Sequence, residues 1–395
     1  MMFGVTYYII GSTTIREGEE EIARQQISAS KIDPLKEYIT SCLSLASSEG
    51  LELIGKQGGY IYKSQGGIVE DPLAGEIGKE YIDYDQTKVH YGIYAPKSNV
   101  GLVFFAQTPD YPWPTFPRLY HPITGEYMEK LEGYYGRNKL PPFNKTQENS
   151  IPEQLEEFTI NSVIGCIDWA SFTQQGLNIT AGEANISIVF AARDVTFVLK
   201  WLMEVTDLAT GAVTDINEFV VVYPVRLKKI YDFATLIMDN DVTDITYDIK
   251  ASDGLITSSV MQDVFGRDDL VIIKDTDSRI LDKQYEFRFM RKNRAPALYY
   301  IPEEDIEGPI CNGSLIQAVP PSKLNIVDSC NQNSFELNFT AIDPDEDKPE
   351  FSYNKLLPYE IKPIDVNVGS FRINVMVSDG EYNDWQEITI PTKSG

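Results

Sequence analysis

The chain has 395 residues, 43% of them hydrophobic and 24% charged, a balance typical of globular proteins; at roughly 150 residues per domain this length suggests two or three domains. Lys and Arg number 34 against 59 Asp and Glu, a formal net charge of −25. Such a surface repels phosphate backbones and anionic lipid heads, so nucleic acid is excluded as an expected partner.

The opening run MMFGVTYYIIGSTTI carries no charged side chain. It is shorter than the roughly 20 residues a membrane-spanning helix needs, and it lacks the basic start and small-residue cleavage site of a signal peptide. Two expectations stay open for it: the remnant of a membrane anchor, or a strand that pairs with a sheet edge in a neighbouring subunit. The strand is preferred, with Phe3, Val5, Tyr7 and Ile9 on the assembling face.

After an apolar and linker region over 1–33, the segment KIDPLKEYITSCLSLASSEGLELIGKQGG reads as a helix. Asp33 suits the N-cap and Pro34 the first helical position. Leu35, Ile39, Cys42, Leu43, Ala46, Leu53 and Ile54 recur at helical spacing, and Gly58-Gly59 closes the run. A second helix is expected from Pro152 to Gly176, with Leu155, Thr159, Val163, Cys166, Ile167 and Ala170 on one face. Each helix thus puts one cysteine on its apolar side. Two buried thiols would act as small hydrophobes; in an oxidising compartment a Cys42–Cys166 bridge tying the helices is preferred.

Between these helices KVHYGIYAP and NVGLVFFAQ look like strands, followed by a Pro- and Tyr-rich loop over 107–151. Five prolines between Pro109 and Pro122 forbid a regular helix there. Its aromatic residues Tyr111, Trp113, Phe116 and Tyr120 mark 107–143 as a candidate partner-binding surface; the alternative is a loop whose rings pack on its own domain. From 177 to 223 the pattern is a β-meander, and Pro224 opens a helix whose core stripe is Ile230, Phe233, Ala234 and Ile237. DDLVIIKDTDSRI and QYEFRFMRKNRAPALYYIP continue an α/β or β stretch. From about Cys311 alternating strands follow at the spacing of an all-β sandwich, with Cys311 and Cys330 placed to staple its entrance.

The expected fold is therefore α+β and β-rich: disulfide-tied helices in a mixed N-terminal region, then an all-β sandwich, which the resemblance below makes immunoglobulin-like. The expected domains are 34–223, a second α+β or β-rich domain over 224–309, and the sandwich over 310–395. Sequons at Asn144, Asn178, Asn185, Asn312 and Asn338, together with an even set of cysteines lacking a CxxC, fit an extracellular address.

The tail resembles cadherin-like and immunoglobulin-like modules of surface proteins through AIDPDEDKPEFSY (Ala341–Tyr353) and VMVSDGEYNDWQEITI (Val375–Ile390). That resemblance implies a spacer or adhesive unit, and some such modules bind calcium between modules. The stretch from about Pro34 to Tyr300 resembles a group of archaeal envelope proteins from small-genome lineages, through YITSCLSLASSEGLELIGKQGGYIY, CIDWASFTQQGLNITAGEANISI, VYPVRLKKIYDFA and FRFMRKNRAPALYYI. This implies an anchored, extracytoplasmic architecture rather than a reaction; the sequence departs from that group in lacking a full membrane span at its start.

Chemistry is sparse. The acidic cluster Asp343, Asp345, Asp347 and Asp379, with Glu346 beside it, is the best candidate for a metal, calcium, which takes six to eight oxygen ligands; a solvated acidic turn is the preferred explanation, and the spacing is not that of an EF-hand. Only two histidines, His90 and His121, limit general-base and zinc chemistry. Neither a G-x-S-x-G, nor a phosphate-binding glycine loop, nor H-E-x-x-H occurs. The expectation is a non-enzymatic, extracellular structural subunit of a filament, sheath or surface layer, self-associating or joined to other surface proteins, without a cofactor unless calcium binds. The alternatives are an anchored protein that captures a peptide, glycan or partner through 107–143, and an envelope hydrolase without a readable motif.

Overall fold

The computed structural model describes Ile27 and residues 29–72, 80–95 and 135–394. The fold is α+β and β-rich, as expected. In chain order the first elements are α1 (Ala29–Lys56), β1 (Tyr81–Tyr84), β2 (Thr87–Tyr94), β3 (Arg137–Asn138), α2 (Ile151–Cys166) and α3 (Trp169–Gln174). The meander β4 (Leu177–Phe190), β5 (Val195–Asp207) and β6 (Val213–Tyr223) follows, then α4 (Leu227–Asp241). Strands β7 (Ile256–Phe265), β8 (Asp268–Ile280) and β9 (Lys283–Arg291) complete this part.

Two sheets share the helices. The meander forms a three-stranded antiparallel sheet, β4-β5-β6. The other sheet runs β1-β2-β9-β8-β7, with β3 beside β2 and with β2 and β9 parallel. Helix α1 lies against both, with its apolar face in their shared core and Ser47 and Gly55 at two close approaches. The hydroxyl of Tyr223 on β6 meets Ser47 Oγ at 3.1 Å, and that of Tyr285 on β9 donates to the Leu51 carbonyl at 3.1 Å. At Gly55 a Cβ would sit 2.4 Å from the Glu286 carbonyl oxygen, so only glycine permits this approach. The second helix of the core, α2, is joined to α1 by the Cys42–Cys166 disulfide, Cα–Cα 5.9 Å.

Three expectations are corrected. Helix α1 begins at Ala29, so Asp33 is not its cap and Pro34 lies inside it. There the proline forfeits one early intrahelical bond, at a point where the apolar face is already committed to the core. The helix expected over 152–176 is two helices. Asp168 interrupts it by accepting from Ala170 N (3.1 Å) and from Ser171 Oγ (2.6 Å), capping α3. Lastly, no domain boundary falls at 223/224. Strand β9 pairs with β2 across the chain, and one buried cluster takes in residues from Ile27 to Phe289.

The remainder is a sandwich. Its strands are β10 (Ala297–Leu298), β11 (Ile310–Cys311), β12 (Leu315–Ala318), β13 (Lys323–Val327), β14 (Ser334–Asn338), β15 (Ala341–Ile342), β16 (Glu350–Tyr353) and β17 (Tyr359–Glu360). A short α5 (Pro363–Val368) precedes β18 (Ser370–Ser378) and β19 (Asn383–Lys393). The sheets β11-β19-β18-β16 and β14-β13-β12-β17 face each other across Ile316, Leu324, Ile326 and Leu337 on one side and Ile373, Val375, Val377, Ile388 and Ile390 on the other. Leu298 and Ile301 belong to this core, so the sandwich begins before residue 310. Cys311 and Cys330 are bridged, Cα–Cα 5.7 Å.

The Cys42–Cys166 bridge spans 124 residues. In the chain-entropy model a loop of this size contributes about 5 kcal/mol. Replacing both cysteines with Ser should lower the urea midpoint substantially; an unchanged midpoint would mean that packing alone holds the helices.

Candidate functional site

The densest polar constellation among the described residues lies where β9 leaves the first unit for the sandwich. The linking residues Arg291, Lys292, Asn293 and Arg294 each reach an acidic partner. Arg291 extends Nη1 to Asp241 Oδ1 (3.2 Å) at the end of α4, and Nη2 to Asp269 Oδ2 (2.7 Å) on β8. The same Nη2 donates to the Asp345 carbonyl at 2.9 Å. Arg294 clasps the Asp345 carboxylate with Nη2 (2.7 Å) and Nε (3.0 Å) on Oδ1, while its backbone N–H donates to Oδ2 at 2.7 Å. It also bonds the carbonyls of Tyr135 (3.2 Å), Asp241 (3.3 Å) and Pro344 (2.9 Å).

Both arginines are 1% exposed. Burial works against the Arg291 charge, and Asp345, Asp241 and Asp269 more than offset it, so its pKa lies above the ordinary value. Lys292 Nζ donates to Asp268 Oδ2 at 2.9 Å. Asn293 donates from its backbone to Asp268 Oδ1 (2.9 Å) and from its side chain to Asp379 Oδ2 (3.1 Å). Arg291, Asn293 and Arg294 thus each bind both units, and Lys292 adds a tie to β8.

The four residues expected to ligate calcium all fall at this junction, and the structure sorts them. Asp345 is taken up by Arg294 and Arg291. Asp379 accepts from Glu381 N and Tyr382 N, both at 2.6 Å, and from Asn293. Asp343 turns its own loop, with Oδ1 accepting from Asp345 N (2.8 Å) and Asp347 N (3.2 Å). Only Asp343 Oδ2 and Asp347 Oδ2 remain as buried carboxylate oxygens without a hydrogen bond in this set, and Arg267 lies 3.7 Å from Asp347 Oδ1. With Asp345 held by two guanidinium groups and Arg267 beside Asp347, two unpaired oxygens do not meet the six to eight ligands of calcium. The residues do not fit the ion, and the cationic role between the units belongs to Arg291 and Arg294.

Asp343 is pushed up to about 8, chiefly by burial and then by the Asp345 charge, and Asp347 to about 6, again chiefly by burial. The one group of residues spaced like metal ligands among those described is Cys311, Asp328 and Cys330. There both sulfurs are in a disulfide, and Asp328 Oδ1 accepts from Cys330 N at 3.0 Å.

Other expected sites lie elsewhere. Phe3, Val5, Tyr7, Ile9, Tyr111, Trp113, Phe116, Tyr120 and His121 fall outside the described residues. The described end of the aromatic loop turns inward: Tyr135 is buried, β3 pairs with β2, and Phe143 packs on Phe190 (4.8 Å) and Tyr231 (5.0 Å). His90 stacks on Tyr60 at 4.2 Å, and burial pushes its imidazole down to about 4. No helix among the described residues is long and apolar enough to cross a membrane. No protein-family model matches the chain, and no curated protein matches it.

Sequence reasoning missed Arg291–Arg294, Asp241, Asp268 and Asp269. A signal existed: RKNR is a donor-rich run between two apolar strands, in a chain where acids outnumber bases.

Adding a chelator, or calcium, should leave the melting temperature unchanged; a rise of several degrees with calcium would contradict the assignment of the junction cations to arginine. Asp343 has a folded pKa above its unfolded value of about 3.9. The folded state therefore holds its proton more tightly, and the stability linked to it is lost as pH rises from about 4 to 8. Asp343→Asn should remove that loss, so the variant should gain melting temperature on wild type at pH 8 and not at pH 4; an equal difference at both would refute the shift.

Proposed function

We propose that this chain is a non-enzymatic structural protein of a cell surface or extracellular assembly, and that it self-associates. Two disulfides suit an oxidising compartment, and the acidic surface keeps such a protein dispersed until a specific contact forms. The buried ionisable groups of the junction serve to fix one unit on the other, a requirement of a stiff building block more than of a catalyst.

The observation that carries self-association is the edge of the meander sheet. β6 is 11 residues long and has no strand on its outer side among the described residues. Natural proteins seldom leave so long an edge unprotected, because its unpaired N–H and C=O groups recruit another strand. Ile27, where the N-terminal part of the chain arrives, donates its N–H to Thr214 Oγ1 on β6 at 3.3 Å. The assembly therefore uses the apolar run with Phe3, Val5, Tyr7 and Ile9 as a strand added by a second copy along β6. The opposite edge, β4, is interrupted by a register shift between Ala181 and Ala184, which blunts it.

Electron microscopy of the full chain should show ordered polymers, and a chain lacking residues 1–15 should remain folded and monomeric. Dispersed monomers of the full chain, or polymers that survive the deletion, would refute the proposal.

A further inference from the structure

We propose that Asn144 is the residue of this chain that carries an N-linked saccharide. The inference rests on the extracellular reading above and adds a site that the five sequons alone do not single out.

Folding sorts the sequons by what their hydroxyl residue is doing. In Asn312-Gly313-Ser314 the serine is fully buried. Its Oγ accepts from Cys311 N (3.1 Å) and Ser329 N (2.9 Å) and lies 3.2 Å from Asp328 Oδ1, so no transferase can engage it without unfolding the disulfide corner. Asn178 and Asn185 stand in β4, in register with Thr206 and Lys200, and Asn338 stands in β14 opposite Lys323. These three are exposed, but their backbones are held extended in a ladder, and presenting them to another active site means breaking strand pairing.

Asn144 has neither constraint. It lies in an exposed turn, Asn144-Lys145-Thr146, between the anchored ring of Phe143 and the Ser150 cap of α2. Gln147 N closes the turn on the Asn144 carbonyl at 3.0 Å. The carboxamide Oδ1 accepts from both Thr146 N (3.1 Å) and Thr146 Oγ1 (3.0 Å). Two donors on the amide oxygen draw electron density away from Nδ2 and make its N–H more acidic, and they fix asparagine and hydroxyl in one compact unit.

The donor is a saccharide linked through phosphate or diphosphate to a lipid, acted on by a glycosyltransferase. Nδ2 attacks the anomeric carbon, the N–C bond forms, the C–O bond to phosphate breaks with its electron pair leaving on the phosphate, and one Nδ2 proton passes to a base of the transferase. No redox change occurs. The product is a bulky polar group on the turn, suited to a surface loop of a secreted protein.

Peptide mapping of the native protein, digested without reduction, tests this. The peptide containing Asn144 should carry a saccharide mass, Asn144→Gln should lose it while keeping the wild-type melting temperature, and the Asn312 peptide should be bare. Asn144 bare with another sequon occupied overturns the proposal, as does an absence of sugar with Cys42–Cys166 intact. Absence of sugar with Cys42 and Cys166 as free thiols overturns the extracellular reading as well.

Discussion

Two guanidinium groups buried between the units set the terms for the rest of the molecule. Arg291 and Arg294 are 1% exposed, and a charge removed from water to that degree is tolerated only with well-placed anions close by. Those anions come from three directions: Asp241 from the end of α4, Asp269 from β8, and Asp345 from the sandwich. A buried ionic cluster of this kind adds little net stability over an apolar contact, but removing one member costs roughly 3–5 kcal/mol, because the others are left buried and unmatched. Its effect is geometric: only one placement of the sandwich on the first unit pairs all the charges.

The remaining contacts at the joint follow from that placement. β9 ends in Arg291, so the strand whose pairing with β2 closes the six-stranded sheet also feeds the cluster. Asp268 and Asp269 begin β8, next to β9, and hold Lys292 and Arg291 respectively. On the sandwich side the turn from Asp343 to Asp347 is bent by Asp343 so that Asp345 faces Arg294. Further from the cluster, α1 bridges the two sheets of the first unit and is tied to α2 by a disulfide. Stiffness therefore runs from the helices through β9 into the sandwich.

Much of this was legible in the sequence where the signal is local. The apolar stripe of α4, the alternation in β5 and β18, and the cysteines on the apolar faces of α1 and α2 each report their surroundings through period or position. What escaped was set by partners far along the chain. β2 looks like an isolated strand until β9 arrives beside it, so a boundary at 223/224 looked natural. Asp168 reads as one more polar residue in a helix, although its side chain caps a second helix that starts there. The acids around Asp343 resemble a metal turn because sequence shows the anions and not the guanidiniums that face them. RKNR, read alone, is an ordinary basic run; only folding brings it against Asp241, Asp269 and Asp345.

Arg291 and Arg294 make the two units one cooperative body. Differential scanning calorimetry of wild type beside the Arg291→Met, Arg294→Met double variant tests it most directly. Wild type should show a single transition and the variant two separated ones, one for each unit. A variant that still melts in one transition at the wild-type temperature would contradict it.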